Sequence, residues 1–198
     1  GGRKLDLADT KSALEAGISM IHQELSPVLE MTIAENMFLG REPVSGGNWL
    51  SGRLVDFKRM ETETQALLDK LGLKYRARQK MRELSIAGMQ LIEIGKAIAR
   101  KAALVIMDEP TSAISDTEVA MLFRQIADLK AKGTAVIYIT HKMDEIFRIA
   151  DDITIIRDGQ YIDSNAASAY DETRLISAMV GRTISSIFPK EHAEIGEV

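Results

Sequence analysis

The chain has 198 residues, of which 45% are hydrophobic and 27% charged; this composition indicates one globular domain with a core and excludes wholesale disorder. With 25 basic against 29 acidic residues, the net charge of −4 makes a nucleic-acid binder a poor candidate. The chain has no cysteine, which excludes disulfides, thiolate zinc sites and cysteine nucleophiles, and its longest apolar run, 102–107, is too short to cross a bilayer.

The amino-terminal residues predict a strand, a helix and a second strand. The first strand covers 4–7; Asp9 or Thr10 can cap the helix, which Gly17 ends, and an apolar strand follows at 18–22. The opening Gly-Gly-Arg-Lys has no apolar signal-peptide segment, which favours a cytosolic compartment. It also lacks Met, so we expect the chain to be a piece of a longer protein.

Residues 24–100 predict a region that is nearly all helical. Each of its helices begins at a capping residue, and the helices span 32–40, 56–72 and 85–100. Glycines in 41–55 predict a loop, and 74–82 is a basic, irregular link whose charges we expect to be solvated.

Residues 101–165 return to alternating strands and helices. The apolar run 104–107 predicts a central parallel strand buried on both faces. The elements that follow are a helix at 115–133, a strand at 135–139, a helix at 143–150, a hairpin of 153–157 and 160–163, and a last helix at 171–181. The simplest architecture is a helical region inserted into a parallel α/β core.

Two adjacent acids, Asp108 and Glu109, give the strongest chemical signal. They end the apolar strand, and the carboxyl end of a parallel strand faces the ligand crevice. There the first acid can hold Mg²⁺, directly or through a water, and the second can orient and polarise an attacking water, as in a Walker B motif. An exposed acidic turn after a buried strand is the alternative, and the pair alone leaves both interpretations open.

Three further polar sites stand at the ends of predicted elements. Ser85 begins a helix that continues with the small residues Ala87 and Gly88, where amides and a hydroxyl can receive a phosphate. His141 follows a strand and could hydrogen-bond a terminal phosphate, and Gln23 follows another and could contact a metal or a water. Taken singly, these are also an ordinary capped helix, a structural histidine and a polar loop residue.

Taken in order, these pieces resemble the nucleotide-binding subunit of an ATP-binding cassette (ABC) transporter. The matching parts are a Q-loop at Gln23, a signature motif at 84–88, a Walker B motif at Asp108 and Glu109, a D-loop at 112–115 and a switch histidine at His141. Several longer stretches of sequence are similar to the first half of the fused two-cassette ATPases of bacterial monosaccharide importers, of ribose and galactose type. These stretches are residues 17–25, 34–41, 90–96, 141–147 and 179–182.

The resemblance implies a fold and a division of the chain. The fold is a P-loop NTPase-like α/β core sheet with a helical subdomain inserted at about 24–100, without the family's amino-terminal strands and phosphate loop. Residues 1–181 would form a partial nucleotide-binding domain, and 182–198 a linker toward a second cassette. The cofactors implied are ATP and Mg²⁺.

The resemblance also implies the role of each site residue. Glu109 is the general base, Asp108 the Mg²⁺ ligand through a water, His141 the sensor of the γ-phosphate, and Gln23 a contact to metal or water. In such proteins each ATP lies between two cassettes, so Ser85, with Ala87 and Gly88, would serve the partner's site.

Two departures from the family pattern stand out. The phosphate loop, Gly-x-x-x-x-Gly-Lys-Ser/Thr, is absent from these 198 residues, and 47–54 has its glycine spacing without the Lys and the Ser/Thr. The usual Leu-Ser-Gly-Gly-Gln signature reads Leu-Ser-Ile-Ala-Gly, with Ile86 and Ala87 in place of glycines. We therefore expect the isolated chain to be inactive and to bind ATP at millimolar strength at best, roughly −4 kcal/mol or weaker.

The functional prediction is an ATPase that powers sugar import, as a peripheral protein on the cytoplasmic face of the inner membrane. Its expected partners are a second cassette and transmembrane permease subunits, with no nucleic acid. One alternative is a non-transport cassette that uses ATP as a conformational clamp; another is a naturally short binding module.

The absent segment also predicts self-association. In the family, the strand leading into the phosphate loop lies between two others, which here would be 135–139 and 153–157. Its loss would leave a gap of about 9.6 Å. We expect the two strands to pair directly, or a second chain to fill the gap. We also expect the loss of the helix that follows the phosphate loop to expose an apolar face of the sheet.

Overall fold

The computed structural model describes residues 5, 9–23, 25–45, 54–112 and 114–181. It divides into two compact units, residues 1–141 and 142–198. Across the ranges it describes, no helix is both long enough and apolar enough to span a bilayer. The predicted strand at 4–7, apart from Leu5, and the predicted linker at 182–198 lie outside the described residues.

The first unit contains a three-stranded parallel sheet. Its strands are β1 (Ile18–Ile21), β4 (Leu104–Asp108) and β5 (Ala135–Ile139), and they lie in the order β1-β4-β5. The register sets Met20 beside Ile106 and Ile106 beside Ile137. Because all three strands run the same way, their carboxyl ends meet at one edge of the sheet.

The two faces of this sheet differ in burial, which corrects the prediction that the central strand is buried on both. Val105 and Met107 of β4 have no exposed surface, whereas Leu104 and Ile106 on the other face are only partly buried. The buried face packs against α4 (Ile86–Ala99) and α5 (Asp116–Ala131), whose Phe123 meets Tyr138 of β5 edge-on.

Helices of this unit begin where capping residues predict. Asp9 caps α1 (Thr10–Glu15), Thr32 caps α2 (Ile33–Phe38), Asp56 caps α3 (Phe57–Lys70) and Ser85 caps α4, each through a side-chain oxygen that accepts a backbone N–H of the first turn. Such caps satisfy amides that have no partner within the helix. The buried side chains of α2, α3 and α4 include Ile33, Met37, Met60, Leu68, Ile92 and Ile94.

Two connecting segments contain more structure than the sequence predicts. In the predicted loop 41–55, β2 (Val44–Ser45) and β3 (Leu54–Val55) form a short antiparallel ladder. The link at 74–82 leads into a 3₁₀ turn at Met81–Glu83. Its charges are largely paired: Arg78 with Glu61, and Lys80 and Arg82 with Glu30.

The second unit is a β-hairpin with two helices. Its elements are α6 (Met143–Ile149), β6 (Asp152–Arg157), β7 (Gln160–Ala166), a 3₁₀ turn (Ala167–Ala169) and α7 (Glu172–Val180). The hairpin turns at Asp158 and Gly159, both with positive φ, at 52° and 74°. Ile153, Ile155, Tyr170 and Leu175 form its buried cluster.

The two strands that were predicted to flank the missing one each have a strand partner within their own unit. Among the described residues, β5 has β4 as its strand partner and β6 has β7. Direct pairing of these strands and association with a second chain both stay predictions.

Candidate functional site

The predicted site residues follow the carboxyl ends of the three parallel strands. Gln23 lies two residues after β1, Glu109 directly after β4, and His141 two residues after β5. Because β4 lies between β1 and β5, Glu109 stands between the other two side chains. The sheet order thus brings together residues separated by 86 and 32 positions in sequence.

Direct contacts join these three side chains through the Glu109 carboxylate. The Gln23 side-chain amide donates from Nε2 to Oε2 of Glu109 across 3.2 Å. Nδ1 of His141 lies 2.9 Å from Oε1 of the same carboxylate. The Glu109 side chain is 29% exposed and that of His141 67%, so the cluster opens to solvent on the histidine side.

The backbone of Glu109 adopts a left-handed conformation with φ +42°. This region is unfavourable for a residue with a Cβ, and such strain is found mainly at functional sites. The Glu109 N–H donates to the carbonyl of Ile139 across 2.9 Å, and the Glu109 carbonyl accepts from Ser112 N–H at 3.2 Å. The carboxylate is therefore carried by a backbone fixed to the end of β5. Sequence reasoning missed this conformation, because a non-glycine residue gives no signal for it.

Asp108 and Gln23 are the predicted metal ligands. Asp108 ends β4 on the open side of the sheet, level with Ile139 and partly buried. The Gln23 amide donates with its nitrogen, and its oxygen is the atom suited to a cation. Among the described residues no group of three or more His, Cys, Asp or Glu side chains is placed to hold a metal. The donor set suits Mg²⁺, which commonly takes one or two protein oxygens and completes its shell with phosphates and waters.

The signature segment, which we define as 84–88, opens α4. Ser85 is exposed, and its Oγ accepts the Gly88 N–H at 3.1 Å as the helix cap. Ala87 and Gly88 are buried, whereas the Ile86 side chain is 60% exposed. Within the described ranges no hydrogen bond or ion pair connects this segment to Gln23, Glu109 or His141.

A residue that the sequence did not single out, Tyr75, packs on this segment. A Cβ added at Gly88 would overlap the Tyr75 hydroxyl and would lie 3.0 Å from its Cζ. Glycine at this position therefore makes room for the tyrosine. An isolated tyrosine in an irregular link carries no sequence signal of such a contact.

Comparison with protein-family models finds a match over the first part of the chain. The model described as ABC transporter matches residues 2–112, which is more than half of the chain. That span includes Gln23, the signature segment, Asp108 and Glu109.

Among curated proteins, the chain is similar to ATP-binding proteins of sugar import. It is 70% identical over 197 residues to a ribose/galactose/methyl galactoside import ATP-binding protein of Rhizobium etli, covering 100% of this chain and 38% of that protein. It is 49% identical to a galactose/methyl galactoside import ATP-binding protein of Photobacterium profundum, covering 100% of this chain and 39% of that protein. The chain therefore spans less than two fifths of these relatives.

Solved structures share the fold. A nucleotide-free ATP-binding cassette from an ABC transporter matches with a TM-score of 0.64 at 24% identity, over 85% of this chain and 66% of that chain. A dimeric post-hydrolysis ATP-binding cassette bound to ADP and Pi matches with a TM-score of 0.65 at 18% identity, over 81% and 68%. At these identities the likeness concerns the fold alone.

Proposed function

Since the chain belongs to the ABC transporter family, we propose that it is part of an ATPase subunit that powers sugar import. The observation that carries the proposal is the Glu109 carboxylate, placed between Gln23 and His141 at the carboxyl ends of three parallel strands. The proposal concerns the full-length protein, because these 198 residues contain no Gly-x-x-x-x-Gly-Lys-Ser/Thr sequence.

In this proposal Glu109 is the general base that orients and deprotonates the attacking water. Its fixed backbone supports the role, because a base must be held within hydrogen-bond reach of the proton it takes. His141 contacts the γ-phosphate through a ring N–H. Asp108, through a water, and the Gln23 side-chain oxygen hold Mg²⁺, which when bound neutralises charge on the phosphates.

The signature segment serves a second nucleotide site, on a partner cassette. Ser85 is its exposed hydroxyl, and the buried Ala87 and Gly88 act by letting the helix end approach a phosphate. Because the Gly88 amide already donates to Ser85, and Ile86 is exposed where the family has a glycine, we expect this face to bind phosphate weakly.

The names of the similar proteins support ribose- or galactose-type sugars as the cargo of the complete system. The partners are a second cassette and transmembrane permease subunits, which hold the ATPase at the cytoplasmic face of the membrane. The protein itself hydrolyses ATP, and the permease and the other subunits of the importer select the sugar.

The test is ATP hydrolysis by the full-length protein carrying Glu109→Gln. We expect turnover at this site to fall by at least about 10²-fold while nucleotide binding persists, because an amide keeps the shape but does not take a proton. Glu15→Gln, an exposed residue whose contact with Lys11 is 3.9 Å, is the matched control and should leave both unchanged. Wild-type hydrolysis at this site by the Glu109→Gln protein would refute the assignment.

A further inference from the structure

A cavity of about 220 Å³ lies among the three helices α2, α3 and α4 of the first unit. Because one water takes about 30 Å³ of liquid volume, the cavity has room for a molecule of several non-hydrogen atoms. Its walls include three apolar side chains, Met37, Phe38 and Leu67, and three polar ones, Arg41, Glu63 and Thr64. The cavity therefore combines apolar surface with a few polar groups, as sites for small ligands do.

Arg41 uses only one edge of its guanidinium within the protein. Nε and Nη2 donate to the Met37 carbonyl at 3.3 and 3.0 Å, and the guanidinium lies over the Phe38 ring, 5.2 Å from the ring centre. The other edge, formed by Nη1 and Nη2, makes no hydrogen bond to any described residue. Two N–H groups side by side on such an edge match the two oxygens of a carboxylate.

The charge of Arg41 is not neutralised by an ion pair. Glu63, the carboxylate in the cavity wall, pairs with Arg59 at 2.7 Å. Burial, and after it the charge of Arg100, lowers the pKa of Arg41, and Glu63 opposes this only in part. Within the ranges that the structure describes, neither Arg41 nor Arg100 has a carboxylate in ion-pair contact. A cation in this position attracts an anion into the cavity.

A buried hydroxyl in the cavity wall also lacks a partner. Thr64 is 1% exposed, and its Oγ1 forms no hydrogen bond with the described part of the chain. An unpaired buried hydroxyl is costly, so a ligand oxygen beside α3 would supply a partner that the protein itself does not. The charge, the free guanidinium edge and this hydroxyl thus call for the same kind of ligand group.

We propose that this cavity binds a small organic carboxylate, whose two oxygens are held by the free edge of Arg41 and whose apolar body packs on Phe38 and Leu67. The Thr64 hydroxyl donates to one of the two oxygens. The site shares no residue with the cluster around Glu109, so it does not depend on the proposed function.

The test titrates the full-length protein with benzoate and with benzamide, a neutral probe of nearly the same shape. Calorimetry measures the affinities, and the methyl signal of Met37 in ¹³C-methionine-labelled protein, assigned through Met37→Leu, reports where the probe binds. We expect benzoate to bind saturably and to move that signal. Benzamide lacks the charge, and inorganic phosphate lacks the apolar body, so each should bind at least about tenfold more weakly.

Variants relate binding to individual groups of the cavity. Arg41→Gln should weaken benzoate binding at least about tenfold, whereas Arg76→Gln, at an exposed arginine outside the cavity, should leave it unchanged. Because Arg41 also holds the Met37 carbonyl, Thr64→Val is the second variant. It removes the unpaired hydroxyl and should weaken binding about threefold or more without lowering the thermal unfolding temperature.

Several results would overturn the proposal. These are a Met37 signal that benzoate does not move, benzamide or phosphate binding as tightly as benzoate, and full benzoate affinity in Arg41→Gln or in Thr64→Val. Loss of affinity in both variants, with wild-type affinity in Arg76→Gln, would support it.

Discussion

Gly88 shows how one residue of the signature segment is constrained by packing. Gly88→Ala would set a methyl group against the Tyr75 hydroxyl and 3.3 Å from Cβ of Leu84. Overpacking of this kind costs about 1–3 kcal/mol. We expect chemical denaturation to show a loss of that size, and we expect the additional change Tyr75→Leu to recover part of it, because it removes the hydroxyl that the methyl meets.

Gly95 is the matched control for this prediction, because it lies in the same helix. A Cβ there would meet Leu71 Cδ1 at 3.5 Å, an ordinary contact. Gly95→Ala should therefore stabilise the protein by up to about 1 kcal/mol through helix propensity. Equal effects of the two alanines would contradict the proposed role of Tyr75.

Gln125 of α5 is 4% exposed, and within the described residues its side-chain amide has no hydrogen-bond partner for either Nε2 or Oε1. Burial of an unpaired amide is costly. Gln125→Met keeps the length of the side chain and removes the polar atoms, so we expect an increase of about 1 kcal/mol in the free energy of unfolding.

The same substitution at Gln65 should have the opposite sign. Its Oε1 accepts the Ala77 N–H at 2.9 Å and its Nε2 donates to Asp69 at 2.9 Å. Gln65→Met leaves the Ala77 amide without that acceptor and should cost about 1–2 kcal/mol in thermal unfolding. If both methionine variants moved the unfolding free energy in the same direction, hydrogen-bond pairing would not be the deciding factor.

For single residues, the helix caps and the candidate catalytic residues could be predicted from the sequence, whereas contacts between residues distant in sequence could not. A Ser or Asp before an apolar period predicts a helix start because its side chain satisfies free amides. The left-handed backbone of Glu109 and the packing of Tyr75 on Gly88 depend on neighbours distant in sequence. No local pattern contains that information.

Among the elements, the hairpin β6–β7 has a polar network that should make its stability depend on pH. Asp163 accepts the Tyr170 hydroxyl at 2.9 Å and the Asn165 side-chain amide at 2.9 Å. Arg174 lies over the Tyr170 ring at 4.8 Å. The Tyr170 hydroxyl, with help from the Ser164 amide and Arg174, holds the pKa of Asp163 below its ordinary value.

Since the folded protein lowers this pKa, ionised Asp163 contributes stability above its ordinary pKa, and that contribution is lost as the pH falls through the folded value. Asp163→Asn should therefore destabilise the protein at pH 7, and the difference from wild type should shrink in acid. Urea unfolding at several pH values measures the difference in the free energy of unfolding between this variant and the wild type. Asp158→Asn, in the exposed turn where Asn tolerates positive φ, is the control. A difference that stayed constant with pH would contradict the prediction.

Most elements could be predicted because periodicity and capping are local. The ladder of β2 and β3 could not, since each strand has only two residues, too few to show an alternating pattern in the sequence. β7 extends to Ala166, three residues beyond its predicted end at Asp163, because the polar residues that follow continue to pair with β6. The open face of β4 escaped prediction because an apolar run looks the same whether one or both faces are covered.

For the whole molecule, the order β1-β4-β5 explains the site better than any single motif. Gln23 and His141 reach Glu109 from opposite sides because their strands flank β4. Only the resemblance to a known family predicted from the sequence that Gln23, Glu109 and His141 belong to one site. Periodicity alone gives strands but not their neighbours.

The same sheet predicts self-association of the 198-residue chain. On the face away from α4 and α5, Met20, Ile137 and Ile139 are 45%, 48% and 47% exposed. They lie on the two strands that flank β4, and Met20 and Ile137 are level with the partly buried Ile106 between them. A contiguous exposed apolar surface favours association in water. We expect light scattering to report a mass above 21.9 kDa that rises with protein concentration.

Lysine at Ile137 and Ile139 together should shift that mass towards the monomer, because a charge at each position would have to lose water in the contact. Val180→Lys, which changes a 57% exposed residue in the last turn of α7, adds charge elsewhere and should leave association unchanged. Circular dichroism would verify that the double variant keeps its helices. A chain that is monomeric at every concentration, or one that associates equally well with both lysines present, would show that this face is not the contact.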